Sequence, residues 1–164
     1  MRRYFLILSL LIVVPLVSAG ENLNPRPFWG SFAGEAYFTP NPIICDDDGL
    51  LGVMTLSDST GKMSHMGRST FQTQHCPTAD GKYALKGMAS FTAANGDEVV
   101  MVYTATTTAP PPFIIQEADF IIVGGTGRFE GASGYLEGMV YVSAQDSFEV
   151  PWPIKFMLTG MIVY

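Results

Sequence analysis

The chain has 164 residues, 48% of them hydrophobic, 15% charged, and a net charge of −6. The apolar content excludes a disordered chain. The acidic balance makes nucleic acid and anionic membrane surfaces poor partners, because like charge repels at every approach.

Met1-Arg2-Arg3 is a positively charged start, Tyr4 to Val14 is an apolar run relieved only by Ser9, and Val17-Ser18-Ala19 is a small-residue sequence of cleavage type. The run is shorter than the roughly 20 residues a bilayer-spanning helix needs, so residues 1–19 are predicted to be a signal peptide cut after Ala19. Without Arg2 and Arg3 the nine basic residues fall to seven against fifteen acidic ones, which leaves −8. The expectation is a single domain over residues 20–164, secreted or periplasmic, with no membrane span after cleavage.

Turn-forming residues recur along the mature part, and the segments between them are short and rich in β-branched and aromatic residues. This predicts an all-β fold with strands near residues 30–38, 50–57, 64–74, 83–94, 97–107, 113–123, 134–143 and 154–164. Eight such strands suit an antiparallel barrel, whose closure removes exposed edges.

In the first strand, Phe32, Ala36 and Phe38 alternate with Ser31, Glu35 and Tyr37, so one face is apolar. Cys45 and Cys76 are the two cysteines, and an even count in an oxidising compartment predicts a Cys45–Cys76 disulfide. Asp46-Asp47-Asp48-Gly49 lacks the spaced ligands and distal glutamate of a calcium loop and reads as a solvated turn. No metal site and no cofactor are expected.

Ser64-His65-Met66-Gly67-Arg68-Ser69 brings a histidine near an arginine, a potential acid or base beside an anion anchor. On a regular strand His65 and Arg68 face opposite sides, so they converge only if Gly67 marks a bulge. Glu35, His65 and Arg68 are therefore the candidate reactive groups. His75, beside Cys76, reads as a loop residue.

Ala93-Ala94-Asn95-Gly96-Asp97 predicts a hairpin with Asn95 and Gly96 in a type I′ turn. Pro110-Pro111-Pro112 predicts a stiff extended connection. In residues 113–123, Ile114, Gln116, Ala118, Phe120 and Ile122 share one face. Glu117 and Asp119 share the other with Phe113, Ile115 and Ile121.

The run from Gly124 to Gly134 fails as a nucleotide loop, because Glu130 occupies the third glycine position of G-x-G-x-x-G and the following segment is strand-like. Gly124, Gly125, Gly127, Gly131 and Gly134 instead predict a glycine-shaped turn with Phe129 tucked against the barrel. An outer-membrane barrel needs a polar lumen face. Met157, Met161 and Val163 make the second face of the last strand apolar, against that pattern.

His65-x-Gly67-Arg68, then Phe91-Thr92-Ala93-Ala94-Asn95-Gly96-Asp97, then Gly124-Gly125-Thr126-Gly127-Arg128-Phe129-x-Gly131-Ala132-x-Gly134 resembles the small secreted proteins grouped with the allene oxide cyclase and dirigent barrels. The likeness runs over residues 27–164. It implies an eight-stranded calycin-like β-barrel, the plant members of the group acting largely by shaping an apolar cavity, and it carries over no activity and no catalytic residue. The functional expectation is a non-catalytic barrel that binds a small apolar ligand or serves as a scaffold. The alternative is an isomerase or cyclase-like enzyme on a hydrophobic substrate in the lumen. Oligomeric state stays open.

Overall fold

The computed structural model describes residues 24–41 and 43–164, so the signal-peptide expectation for residues 1–19 lies outside the described residues. The strands are β1 (Arg26–Pro40), β2 (Val53–Met63), β3 (Gly67–Pro77), β4 (Tyr83–Ala93), β5 (Glu98–Ala109), β6 (Phe113–Gly125), β7 (Ser133–Ser143) and β8 (Trp152–Val163). Each is antiparallel to its chain neighbours, and β1 pairs with both β2 and β8, so the sheet closes into a barrel with no free edge.

Alternation fixes the faces as the sequence predicts. Phe32 and Ala36 on β1, and Ala118, Phe120 and Ile122 on β6, are buried, while Glu35, Glu117 and Asp119 are exposed. An eight-stranded barrel has an interior that side chains just fill, so the inward residues decide whether it is solid. Its middle is packed by phenyl rings: Phe71 lies 4.4 Å from Phe91, 5.3 Å from Phe32 and 4.9 Å from Phe156 between centroids.

One end is closed. Phe28, Met63 and Phe129 are buried there, and Phe129 packs 4.7 Å from Tyr164. The glycine-rich run forms this plug: Gly127–Phe129 is a short 3₁₀ turn, and Gly127 and Gly131 have φ of 60° and 74°, values that favour glycine.

Three local expectations need correction. The second strand reaches Met63, beyond the predicted end at 57, and the third runs from 67 to 77 rather than 64 to 74. Ser57-Asp58-Ser59-Thr60-Gly61 is small and polar, yet Ser57 and Ser59 face inward and are buried, and Gly61 leaves the room Phe32 occupies. At the β4–β5 hairpin only Gly96 has positive φ, 88°, and Ala93 accepts from the Gly96 amide. The turn is thus not type I′ but a longer loop with one left-handed glycine. Residues Pro111 and Pro112 turn rather than extend, because the chain must reverse between the antiparallel strands β5 and β6.

Cys45 and Cys76 form the predicted disulfide, with Cα atoms 5.5 Å apart and both residues buried. It fastens the β1–β2 connection to the end of β3. The same connection is held by the Leu51 amide on the Pro77 carbonyl (3.0 Å), the Ala79 amide on the Gly49 carbonyl (2.8 Å) and a Lys86–Asp47 ion pair (2.6 Å). Replacing both cysteines with alanine is expected to cost about 3 to 4 kcal/mol of unfolding free energy in urea titration, with the far-ultraviolet β signal retained. A loss under about 1 kcal/mol would mean that the other contacts suffice to hold the connection.

Candidate functional site

The opposite end of the barrel is open. A cavity of about 630 Å³ enters it, bounded by the ends of every strand except β4 and by the connections between them. The volume lies in the ~300–1,000 Å³ range of small-molecule sites.

Its walls differ in chemistry. On one side stand Phe38, Ile114, Val142, Phe148, Trp152 and Ile154. Phe38, Phe148 and Trp152 form an aromatic cluster with centroids 4.6 to 5.2 Å apart, and the Trp152 indole N–H donates to the Ser147 carbonyl, leaving the ring to pack. On the other side lie Thr55, His75, Thr107 and Gln116. Gln116 Nε2 donates to Thr107 Oγ1 at 3.3 Å, and Thr107 Oγ1 donates to the Gly81 carbonyl at 2.8 Å. The charged lining residues are Asp80 and Lys82, one of each sign, both exposed at the rim.

His75 is the polar residue with the most built surroundings. Its Nδ1 lies 2.7 Å from the Tyr103 hydroxyl, and its ring meets the Tyr103 ring edge-on at 6.0 Å. Tyr103 in turn stacks on Phe120 at 4.8 Å. Room for it comes from a β-bulge in β4. Lys86 takes φ 55° there, the register shifts between Ala84 and Gly87, and a Cβ at Gly87 would fall 2.6 Å from the Tyr103 ring. Burial pushes the His75 pKa down to about 4 and the Tyr103 pKa up, so at neutral pH the imidazole is uncharged and the phenol keeps its proton.

The sequence assigns His75 to a loop, but the structure puts it on β3, facing inward in alternation with Ser69, Phe71 and Thr73. The missed signal is that alternation, which continues through Gln74 to the disulfide. The three candidate reactive groups lie elsewhere. Glu35 is on the outer wall, accepting from the Tyr37 hydroxyl at 2.7 Å. His65 sits in the β2–β3 turn at the closed end, with Nε2 2.9 Å from the Pro27 carbonyl and its ring against Phe28. Arg68 is exposed on the outside of β3, opposite Lys62. The structure brings none of the three together. Among the described residues no cluster of histidine, cysteine, aspartate or glutamate has the form of a metal site.

The lowered pKa links His75 to stability. The unfolded imidazole gains a proton near pH 6.5 and the folded one only near 4, so stability is complete above 6.5 and falls as pH drops through that window. Urea titrations at pH 7, 6 and 5 are expected to show a decline of up to about 1.4 kcal/mol per pH unit that His75→Phe removes. An unchanged slope in the variant would contradict a buried, neutral His75.

No family model matches the sequence, and no curated protein matches it. The solved structure of a pterocarpan synthase dirigent protein is similar over 98% of this chain and 98% of that one, with a TM-score of 0.52 and 14% identity. At that identity the likeness carries the fold: an eight-stranded, dirigent-like β-barrel.

Proposed function

We propose that this protein binds a small, largely apolar molecule in the open half of its lumen, as a secreted barrel that acts by shape and orientation. The observation that carries this reading is the asymmetry of the lumen. Phenyl rings pack its middle, hydrophobic side chains plug one end, and a cavity with an aromatic wall opens at the other. Affinity in such a site follows buried apolar area, and the few polar groups opposite set the ligand's direction. The absence of charge below the rim favours a neutral ligand, since an ion would lose its hydration without a partner.

An isomerase or cyclase-like activity on a hydrophobic substrate is the second reading, favoured by one observation. The His75–Tyr103 pair is a hydrogen-bonded couple of titratable groups at the cavity wall. The buried disulfide supports an oxidising, extracellular setting for either reading.

The test is fluorescence titration of N-phenyl-1-naphthylamine, a neutral apolar probe. Wild type is expected to bind it, and Val142→Trp or Ile154→Trp, which fill the cavity from its apolar wall, to weaken binding at least about tenfold. Binding that ignores both substitutions would overturn the proposal.

A further inference from the structure

The polar wall holds more than isolated groups. Thr55 and His75 are direct cross-strand partners on β2 and β3, as are Ser57 and Thr73 one step deeper. The Ser57 and Thr73 hydroxyls are 2.7 Å apart, and the Tyr103 oxygen is 2.7 Å from His75 Nδ1. Ser57, Thr73 and Tyr103 are each less than a tenth exposed, so their hydroxyl protons need acceptors on this wall.

Counting those protons fixes the direction. If Tyr103 donates to His75 Nδ1, the phenol proton is placed and the imidazole proton resides on Nε2. In the reverse direction Nδ1–H donates to Tyr103, and the phenol proton has no hydrogen-bond acceptor among the described residues. An unplaced donor in a dry interior is costly, so the first direction wins. Nε2 has no hydrogen-bond partner among the described residues, and neither has the hydroxyl of Thr55, its cross-strand partner. Both residues line the cavity.

We propose that Thr55 and His75 form a two-donor site for the oxygen of an uncharged carbonyl compound, an apolar ketone or aldehyde whose body lies against the aromatic wall. A carbonyl oxygen has two lone pairs and takes both donors without bringing a hydrogen of its own to satisfy. A carboxylate would be desolvated opposite a neutral imidazole, with the one lining lysine, Lys82, out at the rim. This assignment rests on the cavity being a ligand site and adds the chemistry that selects the ligand.

The experiment compares 2-acetylnaphthalene with 2-isopropenylnaphthalene, which replaces the carbonyl oxygen by a methylene group, using calorimetry and competition with N-phenyl-1-naphthylamine. Wild type is expected to prefer the ketone by about tenfold or more. Thr55→Val and His75→Phe are each expected to reduce that preference, with binding of the alkene little changed. Equal binding of the two compounds to wild type, or a preference that survives both substitutions, would overturn the two-donor site and leave the cavity reading intact. Failure of both compounds and of the probe to bind would overturn the cavity reading with it. Independently of any ligand, nitrogen-15 NMR of wild type at pH 7 is expected to find the His75 proton on Nε2. A proton on Nδ1 would refute the assignment even if the variants fail to fold.

Discussion

The size of the inward side chain in each layer of a closed eight-stranded sheet is the constraint on which the rest of this structure depends. Such a barrel has a lumen that its own residues can just fill, so no separate device is needed to make a cavity. Where Phe32, Phe71, Phe91, Phe120 and Phe156 point inward, the lumen is solid. Toward the open end the inward residues on β1 to β3 are Ala36, Thr55 and His75, all of which line the cavity, and the volume those smaller groups leave is the site. Stability and binding are thus divided along the barrel axis: the aromatic half supplies the packed core, and the open half is free to be shaped.

Burying Ser57, Thr73 and Tyr103, with His75 half-buried beside them, carries a cost that their hydrogen bonds offset. The packing that holds these groups is specific. Gly87 admits the Tyr103 ring, β4 bulges at Lys86, and Lys86 reaches out to the same connection that the disulfide secures. Cys76 adjoins His75, so the residue that anchors the strand end also limits where the imidazole can stand. Covalent, ionic and packing contacts on the outside of the barrel converge on one polar wall inside it.

Much of the architecture was legible in the sequence. Strand alternation gave the inward faces of β1 and β6, and the glycine run announced the plug that buries Phe129. Register was harder to read, because Ser57-Asp58-Ser59-Thr60-Gly61 has loop-like composition and is held in β2 by its partners on β1 and β3. The site was missed for a related reason. Glu35, His65 and Arg68 drew attention by chemical type, but reactivity depends on which way a side chain points, and the pleat turns Glu35 and Arg68 outward while a turn takes His65 to the closed end. His75 is a site residue because β3 runs on to Pro77 and keeps the imidazole on the inward face.

The most direct test of this division of the lumen is anomalous diffraction from crystals soaked with a brominated naphthalene. The account predicts a bromine peak in the open half of the barrel, between Trp152 and the Thr55–His75 wall. A peak only on the outer surface, or a mouth found filled by Phe148 and Trp152 with no space for the ring, would contradict it.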